Sequence, residues 1–292
     1  MAARVTPELA VSCPVCGARS RFTASHPDAE LYRCSACTHA FSDIASMKAV
    51  EGYDPSYFDE RHQRWFEHPN SWLFDKITDA IPKGPSFRSV LDAGCGRGDF
   101  LRHLRARRPD LSLTGIDVSP NASVDEITFI QGDFQTYPFK EQYDVVVSLA
   151  VIEHLADVKA FARRVAELTR PSGLTVISTV NDSSLLFRLA RGLHAVGVSV
   201  AFDRLYSRHH LNHFTPRSLE VLLKSYGMVP GERIFHNAPL AAIDVPASSR
   251  ITDAALRAAM FGICVAGDLT STSYLQTVIC RRDANAESTG SA

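Results

Sequence analysis

The chain has 292 residues, 45% of them hydrophobic and 22% charged, which suits one large globular domain with an appendage and excludes collagen-like, disordered and disulfide-scaffold chains. Its 31 basic and 32 acidic side chains leave a net charge of −1, which argues against holding nucleic acid by bulk electrostatics and leaves only a local patch for that role. No apolar run is long enough to span a bilayer, and the N-terminus lacks the apolar core of a signal peptide, so the cytoplasm is the expected compartment.

The first 45 residues read as a metal module. Cys13-Pro-Val-Cys16 and Cys34-Ser-Ala-Cys37 are two C-x2-C units. A two-residue spacer lets both thiolates of a tight turn point at one centre, and two such knuckles complete a tetrahedral sulfur shell suited to Zn²⁺. A closed shell implies a structural ion. The intervening residues 19–33 read as a short hairpin too small to hold a core, so metal binding would contribute its folding free energy. Gly17 follows the first knuckle, Thr38 the second; His39 is a substitute ligand candidate.

Residues 46–84 form an aromatic linker with Tyr53, Tyr57, Phe58, Trp65, Phe66, Trp72 and Phe74 at helical spacings. These aromatics either pack on the main domain or wall a substrate pocket. From residue 85 strands alternate with helices: a strand at 89–92, a helix at 100–107, strands at 113–117, 127–130 and 143–149, an amphipathic helix at 153–168, and a strand at 174–180. That alternation predicts an α/β fold, a mostly parallel doubly wound sheet covered on both faces.

The loop after the first of these strands carries Asp92, Gly94, Gly96 and Gly98 in a D-x-G-x-G-x-G pattern. Glycines let the backbone turn sharply and lie close to a ligand. A dinucleotide fingerprint would be G-x-G-x-x-G; here the third glycine comes one residue early and Asp99 stands in its place. An acid there disfavours pyrophosphate and suits a ligand bearing an ammonium group, such as the methionine part of S-adenosylmethionine. Asp117, at a strand end, is placed to accept hydrogen bonds from ribose hydroxyls. Asp133 and Phe134, after the next strand, are placed to bond an adenine amino group and pack on its ring.

These residues resemble the class I S-adenosylmethionine-dependent methyltransferases: VLDAGCGRGDF is similar to their first motif, Asp117 to their second, GDF to their third and YDVVVSLAVIEHL to their fourth. The resemblance implies a Rossmann-like sheet of seven strands, with a sixth near 231–236 and a seventh near 274–281 inserted antiparallel. It adds Val118 and Leu149 to the cofactor-binding residues, places the domain at 85–283 and leaves 284–292 as a disordered tail.

Methyl transfer to a hydroxyl needs a base, and histidine is matched to neutral pH. His154 follows the fourth motif. The segment Arg208-His-His-Leu-Asn-His-Phe-Thr215 precedes a helix start at Pro216, capped by Thr215 and ended at Gly227. It resembles the H-x-x-x-F-[ST] segment of zinc-ribbon methyltransferases, sugar C-methyltransferases among them, and makes His210 the first candidate base, with His213 next. A metal held by these histidines lacks a matching carboxylate cluster. The apolar insert 183–206, with Arg188, Arg191, His194 and Arg204, reads as a cap or lid, or as a peripheral membrane contact admitting a lipid-linked substrate.

The resulting expectation is a methyltransferase for a small-molecule acceptor, a sugar or related metabolite taking the methyl on oxygen or carbon. An RNA methyltransferase is the alternative, with the module and the basic run Arg102, Arg105, Arg107 and Arg108 as its grip. A third reading is a binding protein that keeps the fold without the activity.

Overall fold

A computed structural model describes residues 11–47, 67–120, 126–207, 209–242 and 250–285. The linker aromatics Tyr53, Tyr57, Phe58, Trp65 and Phe66, and most of the expected tail, lie outside them. The N-terminal module is a meander of β1 (Ser20–Ser25), β2 (Glu30–Cys34) and β3 (Ala40–Ser42), all antiparallel. The described part of the linker forms α1 (Ser71–Ala80), N-capped by Asn70, whose side-chain oxygen accepts from the Leu73 amide.

The main domain follows the expected alternation. It runs β4 (Ser89–Ala93), α2 (Asp99–Arg107), β5 (Ser112–Asp117), β6 (Ile127–Gln131) and β7 (Tyr143–Leu149). It continues through α3 (Val158–Leu168), β8 (Thr169–Val180), α4 (Leu185–Ala195) and α5 (Val200–Leu205). Then come β9 (Asn212–His213), α6 (Pro216–Lys224), β10 (Met228–His236), α7 (Arg250–Leu269) and β11 (Leu275–Arg282).

Seven of these strands make one sheet in the order β10-β11-β8-β7-β4-β5-β6. The five from β4 to β8 run parallel, and β11 enters antiparallel between β8 and β10. This is the Rossmann-like methyltransferase architecture, with a reversed last strand. Successive side chains point to opposite faces, and the core divides accordingly. Val90, Val145 and Val147 pack with Leu73, Leu101 and Leu104 on one face. Leu91 and Val146 pack with Phe161, Val165, Leu219 and Leu222 on the other.

One local reading changes, and two segments take forms the sequence left open. The helix expected over 153–168 begins only at Val158, because Asp157 caps it by accepting from the Ala160 amide; residues 152–154 form a separate 3-10 turn. The insert 183–206 breaks into α4 and α5 around Gly197, whose φ of +89° ends the first helix. The long helix α7, between the last two strands, was not anticipated.

The module is not closed on itself. Its sheet has the order β1-β2-β3-β9, so its last strand comes from residues 212–213, in the histidine segment of the main domain. Its core residues Val15, Cys34, Cys37 and Phe41 are continuous with the core on the α3 and α6 face.

Candidate active site

A cavity of about 450 Å³ opens at the carboxyl ends of β4, β5 and β7, the end of an open α/β sheet where ligands bind. Of the expected cofactor-binding residues, Gly94, Gly96, Asp117, Val118, Asp133, Phe134 and Leu149 line it, as do His154 and His210. Asp92 and Gly98 stand behind the wall rather than in it, and His213 is not at the cavity.

The glycine turn is shaped by φ values of +77°, +51° and +78° at Gly94, Gly96 and Gly98. A Cβ on Gly94 would lie 2.3 Å from Val151 Cγ2, and one on Gly98 2.6 Å from Phe129, so both positions exclude a side chain on two grounds. The Gly94 amide donates to the Ile116 carbonyl at 2.8 Å. Asp117 accepts from the Gly96 amide through Oδ2 at 2.8 Å, and from Ser119 through Oδ1 at 2.9 Å (N) and 2.5 Å (Oγ). A carboxylate has about four lone-pair sites, three of them taken here, so capacity for one ribose hydroxyl remains on Oδ2. Asp92 is 2% exposed, and its Oδ1 has no hydrogen-bond partner. Burial, reinforced by Asp117, pushes its pKa up to about 8. An orphaned buried carboxyl beneath a glycine cradle, with acids at the next two strand ends, fits a nucleoside carrying a cationic amino acid.

The opposite end is made by the turn after β7 and the histidine segment. Ala150, at φ +57°, turns the chain out of the strand, a strained conformation of the kind that clusters at ligand sites. His154 Nδ1 lies 2.7 Å from the His209 carbonyl, and the His154 and His210 rings meet edge to face with centroids 4.8 Å apart. Burial lowers the His154 pKa below its ordinary value, so the ring is neutral at pH 7. A carbonyl can only accept, so the neutral ring carries its proton on Nδ1 and its lone pair on Nε2. His213 is fully buried against Tyr206, with centroids 4.5 Å apart, and burial pushes its pKa down to about 3. From there it reaches no substrate, and the expectation that it is the second choice for the base is set aside.

Glu153 and Tyr274 also line the cavity. Glu153 directly precedes His154 in the chain, and the sequence reading gave a role only to the histidine. Glu153 is 2% exposed, accepts from Thr179 Oγ1 at 2.8 Å, and has its pKa raised by burial to about 7. Ligand atoms of Glu153, His154 and His210 lie within 4.8 Å of one another, so the carboxylate thought missing from a histidine metal site is present. Tyr274 carried no sequence signal; the topology brings it in at the foot of β11. No residue of 183–206 lines the cavity. That insert buries Phe187, Ala190 and Phe202 and leaves Leu189, Leu193 and Val196 exposed.

The four expected thiols converge. Cys13 and Cys37 sulfurs lie 3.6 Å apart, Cys16 and Cys34 sulfurs 3.5 Å, and all four fall within 4.8 Å of one another. Tetrahedral Zn²⁺ with sulfur at about 2.3 Å would set these edges near ~3.8 Å, so the donor set fits. Gly17 and Thr38 take matching left-handed conformations, at φ +73° and +67°. His39 is not turned to the sulfurs; its Nε2 pairs with Asn212 Oδ1 at 3.1 Å.

The basic run on α2 is largely neutralised by nearby acids. Arg102 pairs with Asp99 at 3.1 Å, Arg107 with Asp79 at 3.1 Å and with Asp75, and Arg108 with Asp110 at 2.9 Å; Arg105 lies 3.8 Å from Glu126. Among the described residues, no helix is long and apolar enough to cross a membrane.

A family model described as "Methyltransferase domain" matches residues 57–229. The ubiquinone biosynthesis O-methyltransferase of Azorhizobium caulinodans is 35% identical over 156 residues, 49% of this chain and 59% of that protein. The malonyl-[acyl-carrier protein] O-methyltransferase of Porphyromonas gingivalis is 27% identical over 164 residues, 50% of this chain and 64% of that protein. The chain thus spans less than two thirds of the length of these relatives. A solved S-adenosylmethionine-dependent methyltransferase from Archaeoglobus fulgidus superposes with a TM-score of 0.50 at 19% identity, covering 78% of this chain and 100% of that one. Likeness at that identity speaks to the fold.

Proposed function

The chain belongs to the methyltransferase-domain family, and we propose that it moves a methyl group from S-adenosylmethionine to a hydroxyl of a small-molecule acceptor. The observation that carries this reading is a single cavity with two unlike ends: Asp117 and the glycine turn at one, and His154 with His210 at the other. When bound, S-adenosylmethionine supplies a methyl group activated on a sulfonium.

Asp117 and the Gly94–Gly96 turn would hold the ribose and the amino-acid part, and Asp133 and Phe134 the adenine. Val151, Leu155, Val180 and Leu275 give the cavity an apolar lining that would limit water around the reacting hydroxyl. His154 holds its Nδ1–H on the His209 carbonyl and presents Nε2 to receive the acceptor's hydroxyl proton. His210, the base favoured by the sequence resemblance, stands beside it and confines the same hydroxyl. The apolar walls favour an acceptor with an apolar body and few hydroxyls over a free polyol; a sugar would need that body attached. Transfer to oxygen is supported by relatives named as O-methyltransferases. The paired arginines of α2 weigh against an RNA substrate.

Calorimetric titration of the full chain with S-adenosylmethionine and with NAD tests the cofactor. Binding of the first alone is expected, and binding of the second alone overturns the reading. Release of S-adenosylhomocysteine on incubation with panels of hydroxylated aromatics, nucleotide sugars and RNA then selects the acceptor.

A further inference from the structure

We propose that the cysteine module is a positioning element of the active site, holding the 209–213 loop against the turn that carries His154. This inference rests on the preceding reading for what His154 does, but not for its physical content.

The connection is short and continuous. Strand β3 begins three residues after Cys37 and pairs with β9, Ala40 opposite His213 and Phe41 opposite Asn212. The Ser42 amide donates to the Leu211 carbonyl at 2.9 Å. Asn212 bridges outward in both directions: its Oδ1 meets His39 Nε2 at 3.1 Å, and its Nδ2 donates to the Leu155 carbonyl at 2.7 Å. The Leu211 amide donates to the Glu153 carbonyl at 2.8 Å. The loop is therefore stitched on one side to the module and on the other to residues 153–155. His209, at its start, supplies the carbonyl that orients His154.

A second tie runs from the same module. Arg33, one residue before Cys34, reaches Asp182 at 2.7 Å. Asp182 also takes Arg191 and the Tyr206 hydroxyl, and its amide donates to the Phe214 carbonyl. Asp182 is fully buried, so losing Arg33 removes one of two cations that sustain its charge. Thr38, in the left-handed region, bonds the Thr215 hydroxyl at 2.7 Å, where α6 begins. None of these contacts touches the glycine turn or Asp117.

Two-residue pairing of β3 with β9 is weak alone, because so short a ladder fixes few dihedrals. Its register depends on β3 being anchored, which the pairing with β2 and the Cys34–Cys37 knuckle at the end of that strand supply together. Zinc at the four sulfurs, which their spacing fits, would keep that knuckle closed and thereby the His209 carbonyl in place. Arg33 and Asn212 are positioning residues in this scheme: they act on His154 through the loop.

The test uses the full, zinc-loaded chain labelled with ¹⁵N at histidine, followed by NMR across pH. Wild type should show His154 as the Nδ1–H tautomer. Arg33→Met and Asn212→Ala should each mix its tautomers or move its titration midpoint by about half a pH unit or more. Metal content should be intact, and S-adenosylmethionine affinity should stay within about twofold. Arg33→Lys should recover much of the wild-type signal, and chelation of zinc should give the largest change. An unmoved His154 in both variants overturns the proposal. So does parallel loss of cofactor affinity in both, which would make the module a general stabiliser of the domain. Failure of wild type to bind S-adenosylmethionine would remove the methyltransferase reading and leave the histidine coupling to be judged by the NMR signal alone.

Discussion

His154 and His209 are 55 residues apart in the chain, yet His154 Nδ1 lies 2.7 Å from the His209 carbonyl. That one hydrogen bond decides which nitrogen of a cavity-lining imidazole keeps its proton.

The first expectation concerns this ring. His154→Ala should lower turnover by ~10²–10⁴-fold, the usual worth of a positioned base. S-adenosylmethionine affinity should hardly change, because Asp117 and the glycine turn are untouched. S-adenosylhomocysteine release measured beside calorimetry separates the two, and equal turnover in variant and wild type would remove His154 from the chemistry.

The pH dependence has a definite sign. Burial holds the His154 pKa below the ordinary 6.5, and only the neutral ring accepts a proton. Turnover should therefore rise with pH, with its midpoint below that of an ordinary imidazole, and lose that rise in His154→Ala. A rate profile between about pH 5 and 8 is the measurement.

Stability should move the other way through Asp92. Its folded pKa is raised to about 8 from 3.8. Between those values the unfolded chain has released the proton while the folded chain keeps it, so stability falls as pH rises through that window. Asp92→Asn should flatten the fall, and thermal unfolding of both forms at pH 5 and pH 8 would reveal it. A parallel decline in the variant would contradict the assignment.

Gly94→Ala should abolish cofactor binding. A left-handed alanine costs roughly 1–2 kcal/mol, and its Cβ would meet Val151 Cγ2 at 2.3 Å. The turn must then open away from Asp117. Titration calorimetry would show it, and wild-type affinity would mean that the backbone bends without cost.

Metal content provides an independent check on the module. Cys16→Ser removes one of four converging sulfurs and should sharply reduce bound zinc in mass spectrometry of the intact chain. Undiminished zinc would move the site elsewhere, with Glu153, His154 and His210 the other cluster to examine.

The sequence alone was enough for everything that depends on local chemistry. Two C-x2-C units picked out four thiols that converge in space, because tight turns pair thiolates whatever surrounds them. Apolar strands alternating with amphipathic helices determined the parallel sheet, since period and burial are properties of the segment. The glycine pattern, with Asp117 at the next strand end, picked out a turn that lines the cavity, which a short loop builds almost by itself. The histidines were a different matter. The resemblance put His210 first with His213 next, and packing separated those two: the loop that brings His210 to the cavity turns His213 into the core against Tyr206. Tyr274 joined the site through the topology of the sheet, which no spacing encodes, and Glu153, beside His154 in the chain, showed its burial against Thr179 only in the fold. Nor could the cysteine module be seen to share a sheet with residues 212–213, because a strand pair is a relation between distant backbones, and the sequence records each backbone without its partner.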